Sequence, residues 1–120
     1  MAPKPPEGMS DLPLTEAGFL ILLALTEQPL HGYLIMQTIN TVFRTGFRIG
    51  PGTLYRTLQL QCKADLIKEV VVGNEETDDN RRRYYAITPR GRSVMQEELQ
   101  RLQVLCKLAK VRIEASYADV

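Results

Sequence analysis

Gly52-Thr53-Leu54-Tyr55 and, further along the chain, Tyr84-Tyr85-Ala86-Ile87-Thr88-Pro89 are the two stretches that decide the fold. The first opens an amphipathic helix where glycine and proline interrupt the preceding one. The second is an aromatic and β-branched strand that runs into a threonine suited to cap a helix and a proline suited to its first position. Together they predict a helix, a two-stranded hairpin and a capped helix start. That is the layout of a winged helix-turn-helix, which places one helix in a DNA groove.

Hydrophobic spacing outward from these stretches predicts the other elements. Residues 1–11 carry three prolines without periodicity and predict a flexible arm. Thr15 is expected to cap a first helix that is apolar nearly all round, so that more than one side of it must be covered. A second helix is expected to begin at the only histidine, His31, for which capping or packing is the favoured role.

The third helix and the hairpin follow from the same spacing. The helix is expected to end near Ala64, with Leu54, Leu58 and Cys62 as its buried stripe. Residues 66–72 and 82–87 are predicted to pair as strands. The polar and acidic residues 73–80 between them form the predicted hairpin tip.

A long final helix is predicted over about residues 89–115. Its apolar side chains recur by four and three in a heptad-like seam: Met95, Leu99, Leu102, Cys106, Ala109 and Ile113. The seam either covers its own domain or pairs with a second subunit. About 26 helical residues approach ~40 Å, which overhangs a small winged domain. Pairing is therefore favoured, with Phe19 and Leu23 of the first helix packed against the seam.

The expected fold class is mainly α with a small β-hairpin, a winged helix-turn-helix followed by a long C-terminal dimerisation helix. The domains are the arm (1–11), the winged helix-turn-helix (12–88) and the dimerisation helix (89–120). With 120 residues the chain fits one domain. Its net charge of +1 argues weakly against DNA binding, so local charge must carry that case.

Composition also bears on location and chemistry. Cys62 and Cys106 fit no metal or redox spacing and are expected to be free thiols of a core or interface. There is no signal pattern, and no apolar run approaches the ~18 residues of a membrane helix. A cytoplasmic location is expected. No metal set, phosphate loop, carboxylate pair or nucleophile dyad suggests an enzyme, and neither metal nor cofactor is expected.

The motifs, read in order, resemble the PadR family of bacterial transcriptional regulators, and the single helix after the wing resembles its shorter subfamily. The matching pieces span about residues 14–91: Leu14-Thr15, His31-Gly32-Tyr33, Gly52-Thr53-Leu54-Tyr55, Leu66-Ile67 and Arg83-Tyr84-Tyr85-Ala86-Ile87-Thr88 with Gly91. Three positions depart from the family pattern. Arg56 stands where proline is usual, Gln61 where glutamate is usual, and Asp65 where glycine is usual. Asp65 is expected to keep the left-handed turn at a modest energy cost.

Seven side chains are the candidate DNA contacts: Tyr33, Thr53, Tyr55, Arg56, Gln59, Arg81 and Arg83. Arginine pairs with guanine and glutamine with adenine in a major groove, and the resemblance implies phosphate contacts for the two tyrosines. Two alternatives stay open. The polar helix face could simply be solvated, and the wing arginines could pair with the acids of the hairpin tip.

The resemblance implies a homodimeric repressor that binds a palindromic double-stranded DNA operator. It also leaves room for a small apolar or aromatic effector that relieves repression, bound near the first and last helices. The alternative is a protein-interaction module on a winged-helix scaffold that does not bind specific DNA, because a fold does not fix a function. The near-neutral charge and the acidic wing tip are the features that support this alternative.

Overall fold

The computed structural model of the protein describes residues 14–71 and 83–118. The helices are α1 (Glu16–Ala24), α2 (Gly32–Gln37), α3 (Pro51–Lys63) and α4 (Pro89–Ala118). A π-helix, Thr38–Phe43, continues α2 without a break. The predictions for the arm 1–11, for the wing tip 73–80 and for Arg81 and Arg82 lie outside the described residues.

The small sheet has three strands. The antiparallel pair expected from the sequence is present, and a third short strand that was not expected joins it. The strands are β1 (Leu30–His31), β2 (Ile67–Val70) and β3 (Tyr84–Ile87), in the order β1-β3-β2. Both pairings are antiparallel, and β1 aligns Leu30 with Tyr85. A two-residue strand is too short for an alternating pattern, so nothing in the local sequence announces β1. β2 is also shorter than the predicted 66–72.

The mainly helical winged helix-turn-helix predicted from the sequence is confirmed, with one core at its centre. The side chains with less than 2% exposure come from every layer of the domain: Ile21, Leu22, Leu25, Ile35, Ile39, Leu54, Leu58, Ile67 and Glu98. The domain itself therefore covers most of α1. Of the two α1 residues assigned to a dimer interface, Phe19 is half-buried and Leu23 is 36% exposed.

The buried stripe of α3 differs from the prediction at its end. Gln61 is buried, whereas Cys62 is only half-buried. Both residues lie on the same face of α3 as Leu54 and Leu58. Gln61 is the one that is buried, because it faces α1 where the two helices cross. The Nε2 of Gln61 donates a hydrogen bond of 3.0 Å to the carbonyl oxygen of Gly18, where a larger residue would crowd the amide. Burial raises the pKa of the Cys62 thiol, with a smaller contribution from the carboxylate of Glu69, as expected for a thiol packed against apolar neighbours.

The start of α4 is fixed on the turn that ends α3. Thr88 caps α4 as predicted, since its Oγ1 accepts from the backbone N–H of Gly91 at 2.9 Å. The same hydroxyl donates to the carbonyl oxygens of Asp65 at 2.6 Å and Leu66 at 3.1 Å. Asp65 adopts the expected left-handed conformation, with φ 61°. A Cβ on Gly91 would lie 2.1 Å from the Leu66 carbonyl oxygen, so only glycine permits this approach.

A buried carboxylate ties α4 to the start of α1. Glu98 is 1% exposed, and its Oε2 accepts from the backbone N–H of Leu14 at 2.7 Å. Its carboxylate also pairs with the guanidinium of Arg101. The hydrogen bond from Arg101, helped by the Leu14 N–H, lowers the pKa of Glu98 against the opposing effect of burial. From residue 102 to residue 117, every side chain of α4 is exposed.

Candidate nucleic-acid interface

Two sequence motifs meet where the ring of Tyr55 lies on the backbone of Gly32. A Cβ added to Gly32 would lie 2.9 Å from both Cε1 and the hydroxyl oxygen of Tyr55, which explains the glycine. Tyr33 is the next residue of α2. The two tyrosines are 61% and 50% exposed, so neither ring belongs to the core. Two phenol groups are therefore presented on the surface where α2 and α3 meet.

His31 connects that surface to the wing. Its Nδ1 accepts from the backbone N–H of Leu34 at 3.3 Å, which confirms the predicted capping role. The imidazole lies 6.4 Å from the ring of Tyr33 and meets the ring of Tyr84 edge-on at 5.3 Å. Because Tyr84 belongs to β3, His31 fixes the start of α2 relative to the wing.

The exposed face of α3 carries the other candidate contacts. Thr53, Tyr55, Arg56 and Gln59 are all exposed, while Leu54 and Leu58 hold the opposite face in the core. At Gly52, a Cβ would have no neighbour within 4 Å, so the first turn of the helix is slim and open. Hydroxyl, guanidinium and amide groups along such an exposed helix face match the requirements of base-edge contacts in a major groove.

The wing arginine within the described residues has a partner. Arg83 lies 3.5 Å from Glu69 across the strands, with side chains 73% and 53% exposed. This acid belongs to β2. The predicted alternative, in which wing arginines pair with the acids of the hairpin tip, stays a prediction because the tip lies outside the described residues. An ion pair this exposed is worth only about 0–1 kcal/mol, so Arg83 remains available to a phosphate.

The net charge of +1 argued weakly against DNA binding, but the charge is unevenly distributed along the chain. Residues 28–64 contain no aspartate or glutamate, and their basic side chains are Arg44, Arg48, Arg56 and Lys63. All four are exposed. Only Arg56 among them was a candidate DNA contact from the sequence, because the net charge of +1 hides an acid-free segment balanced by acids elsewhere. A scan of charge along the chain would have found Arg44 and Arg48.

Other kinds of site find no support within residues 14–71 and 83–118. No group of three or more histidine, cysteine or acidic side chains in these ranges could hold a metal ion. No helix in the same ranges is long and apolar enough to span a membrane.

Comparison with known proteins yields one consistent family. The family model described as "Transcriptional regulator PadR-like family" matches residues 21–97. Transcriptional regulator Rv3488 of Mycobacterium tuberculosis is 34% identical over 88 residues, covering 72% of this chain and 76% of that protein. An uncharacterised 37.1 kDa protein in transposon TN4556 of Streptomyces fradiae is 34% identical over 107 residues. That match covers 87% of this chain, which spans only 29% of the length of the transposon protein.

Solved structures give the same result. A PadR family transcription regulator from Clostridium difficile superposes with a TM-score of 0.71 at 25% identity, covering 82% of this chain and 99% of that one. Bacillus subtilis PadR, solved in complex with operator DNA, superposes with a TM-score of 0.63. At 17% identity over 72% of this chain and 47% of that one, the second likeness shows the fold alone.

Proposed function

This chain belongs to the PadR-like family of transcriptional regulators, and we propose that it is a homodimeric repressor that binds a palindromic DNA operator. The members of this family are transcriptional regulators and not enzymes, which confirms the expectation from the sequence that this chain is not an enzyme. We expect such a regulator to act on DNA in the cytoplasm.

The observation that carries the DNA-binding proposal is the pair of exposed tyrosines, Tyr33 and Tyr55, beside the open first turn of α3. The rings are exposed, and the surrounding segment 28–64 contains no acid to repel phosphate. Leu54 and Leu58 fix the helix so that its polar face is presented without rearrangement. The likeness to a fold that has been solved with operator DNA supports the same assignment.

The direct test is titration of a labelled fragment from the protein's own promoter, followed by fluorescence anisotropy at several salt concentrations. Arg56→Ala should relax preference at one base position, at a cost of about 1–3 kcal/mol, because a bidentate guanine contact is lost. Arg83→Ala should weaken all sequences alike and flatten the salt dependence, as expected for a phosphate contact. Lys107→Ala, an equal charge change on the exposed part of α4, is the matched control. The absence of a specific complex at moderate salt would contradict the proposal.

The dimer proposal rests on the exposed part of α4. Leu99, Leu102 and Ile113 of the predicted seam are 44%, 38% and 51% exposed, so the described part of the same chain does not bury them. Cys106 and Ala109 of the seam are exposed as well, whereas Met95 is half-buried against the core. At about 1.5 Å per residue, a 30-residue helix is ~45 Å long and overhangs its domain. A second copy of the same helix would cover the seam symmetrically.

Sedimentation of the purified protein tests the dimer. Leu102→Glu places a charge in the seam and should give monomers, whereas Val104→Glu changes a residue on the outer side of the helical repeat and should leave the dimer intact. Val104 is an apolar side chain of the same helix and is 66% exposed, so Val104→Glu introduces the same charge outside the seam. A wild-type monomer at micromolar concentration would contradict the dimer.

A small apolar or aromatic effector that relieves repression completes the proposal. Its support is a groove of about 370 Å³ at the end of α1, lined by Leu23, Ala24, Leu30, Val42 and Phe43 among others. The groove lies beside α1 as expected, but its other wall is the π-helix and not α4. A panel of aromatic acids and planar aromatic cations, tested for release of bound operator, addresses the effector separately. If no compound releases DNA from a protein that binds it, only the effector part fails.

A further inference from the structure

The loop of residues 44–50, between the π-helix and α3, is shaped by two unusual backbone conformations. Arg44 ends the π-helix in the left-handed region with φ 51°, and Gly46 has φ 94°. Within the loop itself, the only hydrogen bond recorded is a long one of 3.4 Å, from the N–H of Phe47 to Oγ1 of Thr45. Its path must therefore be held from outside.

Asn40 supplies that hold from the middle of the π-helix. Its Nδ2 donates to the carbonyl oxygen of Ile49 at 2.9 Å, and its Oδ1 accepts from the N–H of the same residue at 2.8 Å. One side-chain amide thus satisfies both backbone groups of a residue whose side chain is buried, with 4% exposure. Gly50, the next residue, is the N-cap of α3 and has no side-chain cap of its own. The clamp therefore fixes both the end of the loop and the point where α3 begins.

Two exposed arginines lie on this clamped loop. Arg48 directly precedes Ile49, and Arg44 opens the loop. No acid lies within residues 28–64 to neutralise them. Arginine binds phosphate with two parallel hydrogen bonds, and such a contact is stronger when its backbone is already ordered.

We propose that Arg44 and Arg48 form a second phosphate-binding element beside α3, and that Asn40 is the positioning residue that holds it. This inference rests on the proposed DNA binding and adds to it the part of the surface that contacts the backbone next to the recognition helix. Asn40 does not touch DNA. It acts by keeping the loop in one conformation, so that binding does not have to order it.

The experiment measures the slope of log K against log salt for the full chain on its promoter fragment. Arg44→Gln with Arg48→Gln should lower the slope by about 1.8, since each phosphate contact contributes ~0.9. Glutamine at position 44 has a Cβ as arginine does, so the substitution does not change the strain of the left-handed backbone there. Asn40→Ala should lower the slope in the same direction. Combined with the arginine pair, it should add little, because residues that act through one another are not additive.

The matched control is Thr41→Ala in the same π-helix. The Oγ1 of Thr41 donates to the Gln37 carbonyl oxygen at 2.7 Å and makes no recorded bond to the loop, so the salt slope should not change. Should Asn40→Ala fail to fold by circular dichroism, Asn40→Gln keeps an uncharged amide on a side chain one methylene longer, which cannot hold both Ile49 groups in the same geometry. It should give an intermediate slope.

The outcomes separate this inference from the proposed function. If the wild-type protein binds no specific DNA, the proposed function fails. If it binds, and the arginine pair leaves the slope unchanged, the second phosphate-binding element is refuted. If Asn40→Ala weakens binding by the same factor with and without the arginines, Asn40 acts elsewhere and its positioning role is refuted.

Discussion

Replacing Gly32 with alanine should weaken DNA binding without unfolding the protein. The added Cβ would lie 2.9 Å from Cε1 and from the hydroxyl oxygen of Tyr55, and 3.2 Å from Cζ. Ordinary contact begins at 3.4 Å, so the ring must retreat by about 0.5 Å. Because Tyr55 is 50% exposed, the ring has room to swing outward. The backbone of α3 can stay in place.

The two expected magnitudes differ. Alanine favours the start of α2 by up to ~1 kcal/mol over glycine, which offsets the packing lost when the Tyr55 ring moves. The free energy of unfolding should therefore change by less than about 1 kcal/mol. A displaced Tyr55 hydroxyl would lose the phosphate bond proposed for it, and a hydrogen bond to such a charged group is worth about 1.5–3 kcal/mol. Operator affinity should fall by roughly 10- to 150-fold.

Anisotropy titration and thermal unfolding, run side by side, measure both quantities. Tyr55→Phe removes the hydroxyl and keeps the ring, so it supplies the background for a double-mutant cycle. In that background, Gly32→Ala should reduce affinity far less than in the wild type. An equal loss in both backgrounds, or an affinity that does not change at all, would refute the assignment of Tyr55 as the group through which Gly32 acts.

Three further predictions concern other single sites. Gly52→Ala meets no atom within 4 Å, so α3 should gain about 0.5–1 kcal/mol in thermal unfolding while operator affinity falls; unchanged affinity would place this turn away from DNA. Gly91→Ala would put a Cβ 2.1 Å from the Leu66 carbonyl oxygen, and urea titration should show a loss of about 3 kcal/mol or more, since backbone cannot retreat. The pKa of Glu98 lies below its ordinary value of 4.5, so the ionised carboxylate stabilises the fold at pH values above about 4.5. That stability should fade as the pH falls below about 4.5 and through the folded pKa. Glu98→Gln should flatten this part of the curve, and an identical acid profile would contradict the role.

The sequence predicted a structural feature correctly wherever the residues that determine it are close together in the chain. The start of α3, the capped start of α4 and the turn at Asp65 each carry their signal within a few residues. The misses depend on partners far along the chain. The carboxylate of Glu98 meets the backbone of Leu14 across 84 positions, and the amide of Gln61 meets α1 across 43. No local periodicity predicts such contacts, because a buried polar residue is accommodated only where the fold brings its partner.

The candidate DNA surface was predictable in part for the same reason. Motif residues such as Tyr55 and Arg56 stand out by type and position. Asn40 does not, because its importance lies in a bond to a loop nine residues away. The π-helix likewise has no clear signature beyond its β-branched residues, which fit an α-helix less well than straight side chains do.

The junction of α3 and α4 would couple the geometry of the dimer to DNA binding in the proposed repressor. α4 begins on hydrogen bonds to the turn that follows α3: the Thr88 N–H donates to the Leu66 carbonyl oxygen at 3.0 Å, and the Arg90 Nε donates to the Ala64 carbonyl oxygen at 3.0 Å. Gly91 lets the start of α4 lie directly against the backbone of Leu66, so the two segments are in contact at this point. A change in the angle at which two α4 helices pair would therefore turn both recognition helices. Half-sites about 34 Å apart tolerate little such rotation. Any effector that alters the pairing of α4 would act on operator affinity through this joint.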